Sequence, residues 1–379
     1  MRPLFPVPGD GPVPIDQYVP DFRVEVEGNV LDETTKGDVL DLRVTMDLDA
    51  MASAELTLNN WDDRQLAFKH SDTPVLDIGN RVHVLMGYAG GLVSMLRGQI
   101  SSMTPHFPAS GSPTIALSVL DGMQILKENR PRDGETRQYV DKADWQIAQA
   151  VADRNGLETE LTREGPVHPL VVQRDQDDAS FLAERAARID FECYVFTDPD
   201  SGNAVLRFAQ PSDGRAAGRQ RAHAFAWGED LISFEPTLTL SGQVGKVTVR
   251  GWNPQAKEAI TAVATPADIP GGDGTSGPSA AERLLGNRQD VVIDAPVASE
   301  EEARALAISL LRERGYHFIT ANGQVIGKPE LRPGDTIDLT GLGSRFSGSY
   351  YVKKVEHSFG GQGYLTRFDV RRTHDAGPR

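Results

Sequence analysis

The chain holds a single cysteine, Cys193, in 379 residues. One cysteine excludes an intramolecular disulfide and a cysteine-based zinc site. It lies in Ile189-Asp-Phe-Glu-Cys193-Tyr-Val-Phe, which reads as a buried strand, so inert packing is its expected role. No apolar run approaches the length of a membrane span, and the first residues, Met-Arg-Pro-Leu-Phe-Pro-Val-Pro, lack the apolar stretch of a secretory signal. Basic residues are few: 39 Lys and Arg against 54 Asp and Glu leave a net charge of −15. That balance argues against sequence-independent nucleic-acid binding, which needs a basic face. The densest basic spots, at residues 215–221 and 367–372, are not interleaved with aromatics.

Catalytic signatures are absent too. There is no H-E-x-x-H, no G-x-S-x-G and no P-loop. The eight histidines are scattered without metal-ligand spacing, so no metal and no cofactor is expected. Asp198-x-Asp200-x-Gly202 is spaced like a calcium loop, but its twelfth position is Ala209 where a bidentate acid is required, so a hairpin turn is expected. Gly272-x-Gly274-x-x-Gly277 matches the dinucleotide fingerprint only formally, because no strand precedes it.

What is present is a pattern written twice. The clearer copy runs Leu331-Arg-Pro-Gly334-Asp-Thr-Ile, then Phe346-Ser-Gly348-Ser-Tyr-Tyr-Val-Lys-Lys-Val-Glu-His357-Ser-Phe359, then Tyr364-Leu-Thr-Arg-Phe-Asp-Val. The other runs Leu76-Asp-Ile-Gly79-Asn-Arg-Val-His-Val, then Leu96-Arg-Gly98-Gln-Ile-Ser-Ser-Met-Thr-Pro-His106-Phe107, then Thr114-Ile-Ala-Leu-Ser-Val-Leu120. Each reads as a glycine turn, an alternating strand, a second glycine, a longer strand ending near a histidine, and a closing strand. Gly79, Gly98, Gly334 and Gly348 are expected to permit positive φ or close packing at turns. His106 and His357 are matched, which points to a shared structural role. The fold class expected is α+β, mainly β, with two related small β-domains.

In chain order, residues 1–20 form a Pro-rich extended arm and 21–130 a first β-domain. Residues 136–210 read as an α/β insertion: a helix capped by Asp144, then Asp175-Gln-Asp-Asp178-Ala-Ser-Phe181 opening a second helix, with Asp177-Asp178 as its start. Residues 211–325 hold a polar loop, strands, a flexible Gly/Pro linker at 265–290 and a helix capped by Ser299 and ended by Gly315. The second β-portion covers 326–372, and 373–379 reads as a disordered tail.

Three stretches together carry a resemblance: Leu76-Asp-Ile-Gly79-Asn-Arg-Val-His-Val with Arg97-Gly98-Gln-Ile; Gln173-Arg-Asp175-Gln-Asp-Asp178-Ala-Ser-Phe181-Leu-Ala; and Arg332-Pro-Gly334-Asp-Thr-Ile with Phe346-Ser-Gly348-Ser-Tyr-Tyr-Val and Val355-Glu-His357-Ser-Phe. Over about residues 20–372 the chain resembles the phage late-control D family, the baseplate hub proteins of contractile tails and injection systems, similar also to the N-terminal part of VgrG-type spikes. The resemblance implies a homotrimer of chains with two tube-like β-barrel domains and α/β insertions. Such a trimer joins a sixfold inner-tube protein to a separate threefold spike and contacts other baseplate components. It implies assembly in the cytoplasm, a place in the particle baseplate, and no catalytic residues. The alternative is a tail-associated cell-wall hydrolase or glycan-binding module that uses residues 136–210.

Overall fold

A computed structural model describes residues 19–132, 134–211, 222–253, 256–270, 272, 274–286 and 288–377. Strand makes up 48% and helix 20%, so the class is α+β, mainly β. The first half contributes six main strands: β1 (Pro20–Val26), β2 (Val39–Asp47), β3 (Ser53–Asn59), β4 (Arg81–Tyr88), β5 (Gly91–His106) and β6 (Thr114–Asp121). Alternation decides their faces: in β2, Leu42, Val44 and Met46 are buried while Asp41, Arg43 and Thr45 stay half-exposed. They pack with Leu56, Leu58, Val84, Ile115 and Val119, each worth about 1.5–3 kcal/mol when fully buried.

The middle of the chain leaves this sheet. β7 (Arg137–Ala143) leads into α1 (Asp144–Asn155), β8 (Glu158–Leu161) and β9 (Val167–Gln173); then come α2 (Asp178–Ala187), β10 (Glu192–Thr197) and β11 (Ala204–Ala209). Gly156, at φ 68°, stops α1, and Asp177 caps α2 by accepting from the Ser180 N–H at 2.8 Å. Asp144 is not the cap expected of it. It is the first helical residue, after Ala143, and its buried carboxylate is turned to other partners described below. The turn at Asp198 is a hairpin turn: its carboxylate accepts from the N–H groups of Asp200 and Ser201.

The second half starts with β12 (Ala222–Ala226) and β13 (Leu231–Leu238). A smaller unit follows, made of β14 (Lys246–Asn253), β15 (Glu258–Ala264), α3 (Gly277–Leu285), β16 (Gln289–Val292) and α4 (Glu300–Tyr316). Two expectations fail here. Residues 276–285 of the expected flexible stretch are helical: Ser276 caps α3, Pro278 takes its first turn, and Ala280 and Ala281 are buried. Small residues let this helix lie close to α4, which a count of Gly, Pro and Ser alone does not reveal. Gly315 does not end α4 but sits inside its last turn, buried near Pro278 and Ile269. The chain then forms β17 (Ile319–Ile326), β18 (Thr336–Thr340), β19 (Gly348–Gly360) and β20 (Gly363–Arg372). In the supposed tail, His374–Asp375 pairs with Thr275–Ser276. Residues 1–18 of the arm, 212–221 of the polar loop and 378–379 lie outside the described residues.

Both halves share one 13-stranded sheet. From one side it runs β13, β17, β20, β19, β2, β3, β6, β5, β4, β1 and the two-residue strand Asn29–Val30, with β18 pairing β19 and β12 pairing β18. The two related tube-like barrel domains expected are not shown, and no closed barrel is found among the described residues. β19 hydrogen-bonds to β2, so the halves continue each other edge to edge.

Candidate functional site

The candidate surface is built from strand edges. Sheet order in the first half is β2-β3-β6-β5-β4-β1, and in the second β13-β17-β20-β19-β18-β12. Matched place by place, both sets also follow the same order along the chain. One strand differs in sense: β1 runs antiparallel to β4, while β12 runs parallel to β18.

The turns that open the two copies are the same in detail. Gly79, at φ 90°, donates its N–H to the Ile100 carbonyl, and the Ile100 N–H returns to the Asn80 carbonyl. Gly334, at φ 89°, donates to the Val352 carbonyl, and the Val352 N–H returns to the Asp335 carbonyl. Leu76 and Leu331, three residues before each glycine, are both buried. Directly past each return bond the ladder slips: between Ile100 and Ser102 in β5, and between Val352 and Lys354 in β19.

This register separates residues that the linear pattern matches. Gly98 stands opposite Asp121, where a Cβ would lie 2.1 Å from the Leu120 carbonyl oxygen; its counterpart in β19 is Tyr350. Gly348, at φ 125°, corresponds to Leu96. His106 corresponds to Ser358, and Phe107 to Phe359. A shift of one residue turns a side chain to the other face of a sheet. His357 is accordingly buried and His106 is exposed. The Leu331 carbonyl accepts from Nε2 of His357 at 3.2 Å, and Tyr364 donates to Nδ1 at 2.9 Å. Burial, reinforced by nearby Arg332, pushes the pKa of His357 down to about 3, so it is a neutral structural bridge.

The junction between the halves pairs Lys354 with Asp47, Val355 with Met46, Glu356 with Thr45, His357 with Val44, Ser358 with Arg43 and Phe359 with Leu42. Phe359 also meets the Phe22 ring edge-on at 4.8 Å. Arg332 reaches across to donate to the Ser94 carbonyl, and the Tyr88 hydroxyl donates to the Gly327 carbonyl at 2.7 Å. Residues 102–106 of β5 and 233–238 of β13 hold the corresponding outer edges. Among the described residues these pair only with β6 and with β17.

The insertion motif does structural work. The fully buried Asp178 carboxylate accepts from Arg137 at 2.6 Å, Arg154 at 2.9 Å, Asn155 at 3.0 Å and Gln173 at 2.8 Å. Phe181 stacks on Tyr139 at 5.7 Å, whereas Asp175 is exposed. Asp175 thus stays apart from Asp178, and the motif lies away from the four glycines.

A second buried cluster carries no motif. His168 of β9 bridges Asp144 of α1 at 3.2 Å and Glu302 of α4 at 2.7 Å, and Arg185 of α2 donates to Asp144 at 2.6 Å. The bonds to Asp144 and then Glu302 raise His168 to about 9, and Glu302 is held down at about 2 by His168. The two carboxylates lie 24 and 134 residues from His168, and the local signals they carried, Asp144 as a helix cap and Glu302 as the capping-box acid of α4, did not point to this cluster. A third contact seats the insertion on the second half: Tyr351 donates to Glu192 at 2.6 Å, beside Arg207 and Arg371. Among the described residues no group of His, Cys, Asp and Glu is placed to hold a metal ion. No helix is long and apolar enough to cross a membrane.

The arrangement defines a duplicated, mainly β protein whose halves are fused through one strand pair and whose outer edges have no further strand partner among the described residues. A family profile described as the Alg8 N-terminal domain matches residues 16–360, and the chain belongs to that family. No curated protein matches. Among solved structures, the chain is similar to a 43 kDa tail protein of prophage MuSo2 from Shewanella oneidensis, with TM-score 0.69, 16% identity and coverage of 93% of this chain and 98% of that one. It is similar to a tail protein of Neisseria meningitidis MC58, with TM-score 0.67, 12% identity and coverage of 94% and 97%. It is also similar to an Escherichia coli type VI secretion component described as structurally similar to the T4 bacteriophage tail proteins gp27 and gp5, with TM-score 0.59, 13% identity and coverage of 94% and 79%. At these identities the likeness is one of fold.

Proposed function

We propose that this protein is a structural baseplate hub of a contractile phage tail or injection system. It acts as a homotrimer that joins a sixfold inner tube to a threefold spike. The observation that carries this reading is the duplication: six strands recur in the same chain order and the same sheet order. Three such chains present six similar units, which is what a symmetry-mismatch adaptor needs. The fold shared with tail proteins and a type VI secretion component supports the same reading. Its role is to hold partners together, with turn glycines and strand edges as the working groups and no catalysis. Native mass measurement of the hub bound to its spike tests this: three hub chains are expected, and one or six would overturn it.

A further inference from the structure

We infer that the free edge of β5 in one chain pairs with the free edge of β13 in the next, repeating between chains the junction that β19 and β2 make within one. The inference rests on the trimeric reading above and adds its contact surface.

The register follows from residues already matched. Ile100 and Val352 take the same bonds, so β5 residues 102–107 correspond to β19 residues 354–359. Val119 and Val370 pair with those strands, and Ala54 and Ala321 pair with them in turn. Val44 faces Ala54 and Pro236 faces Ala321, so β13 residues 234–239 correspond to β2 residues 42–47. Copying the inner junction then sets Ser102 opposite Thr239, Met103 opposite Leu238, Thr104 opposite Thr237, Pro105 opposite Pro236, His106 opposite Glu235 and Phe107 opposite Phe234.

The chemistry of these rungs is complementary. An aromatic meets an aromatic, an imidazole meets a carboxylate, hydroxyls meet hydroxyls and a thioether meets an aliphatic, all favourable cross-strand pairs. No like charges face each other. The prolines sharpen the register. A proline on a free edge discourages pairing with any passing strand, because it has no N–H to offer. Here both fall on one rung, so the two missing N–H groups are confined to a single rung and the rungs on either side keep their full set. Phe107 is 60% exposed, although the matching Phe359 is partly buried against the core by β2 and Phe22. The second copy would supply that cover.

Opposed Cα atoms in an antiparallel pair lie about 4.5–5.5 Å apart, within reach of a disulfide. Within one chain β5 and β13 stand seven strand spacings apart in the sheet, so a bond between them joins two chains. The test uses full-length protein assembled with its tail partners and oxidised with copper phenanthroline. Thr104→Cys with Thr237→Cys, and separately Ser102→Cys with Thr239→Cys, are expected to give covalent dimers and trimers on a denaturing gel. Thr104→Cys with Glu235→Cys, slipped by two, is expected to give few. Equal cross-linking in the slipped variant, or three hubs per assembly with no in-register cross-link, overturns the edge pairing and leaves the hub reading standing. Assemblies without three hubs remove the hub reading itself. A cysteine-free check is charge: Thr104→Lys with Thr237→Lys is expected to lower assembled hub at least tenfold, and Thr104→Glu with Thr237→Lys to restore it. Undiminished assembly of the double lysine variant also overturns the pairing.

Discussion

Ser101 and Lys353 occupy the same slip in the two halves of the sheet. Each is the residue skipped when its strand changes register, Ser101 against β6 and Lys353 against β20. Bulges of this kind bend and twist a strand locally and act as built features. Past Lys353, β19 turns to take β2 as its second partner; past Ser101, β5 has no second partner among the described residues. One backbone device thus makes the fused junction on one side and the free edge on the other.

Gly334→Val is expected to cost about 1–3 kcal/mol, because a β-branched residue is strained at positive φ. The added atoms would also press toward the Tyr194 hydroxyl, 3.3 Å from a Cβ. Chemical denaturation reads the loss, and tail assembly is expected to fail. Normal particles from this variant would show that the turn is dispensable.

Gly98→Ala tests close packing, since Gly98 has no positive φ and a Cβ there would meet the Leu120 carbonyl first and Val119 Cγ1 next. A backbone obstacle cannot rotate aside as a side chain can. A loss of about 1–3 kcal/mol is expected, in the range of overpacked cores. Faster amide hydrogen exchange along β5 and β6 locates it; unchanged exchange there would contradict the register.

Asp178→Asn removes the charge that Arg137 and Arg154 share. Breaking a buried pair leaves guanidinium groups without their counter-ion, and both arginines keep some solvent contact. A cost of about 3 kcal/mol is expected, measured by urea unfolding. An unchanged midpoint would make the motif dispensable for stability.

The His168 cluster sets a pH dependence. The folded pKa of about 9 lies above the ordinary 6.5, so the folded state holds this proton more tightly. Its contribution is complete below pH 6.5 and fades as pH rises through 9. Glu302 is depressed from 4.5 to about 2, so its contribution is complete above pH 4.5 and fades as pH falls through 2. The thermal midpoint is expected to fall between pH 6.5 and 9, and His168→Gln to flatten that slope. An equally steep slope in the variant would assign it to other groups.

Much of this protein was legible along the chain because the controlling physics is local. Alternation in β2 and β6, the positive-φ glycines after Leu76 and Leu331, and the caps at Asp177 and Ser299 each depend on a few neighbouring residues. The recurrence of that pattern showed the duplication. Matching glycine to glycine and histidine to histidine misaligned the long strands, because the glycine-to-return-bond spacing differs between the halves and composition does not mark where a strand slips. Only the tertiary structure decided that β19 would accept β2, that α3 would pack where a linker was expected, and that Asp144 would meet His168 and Glu302. Those outcomes depend on which free edge or buried charge finds a partner in space, and no local periodicity encodes that choice.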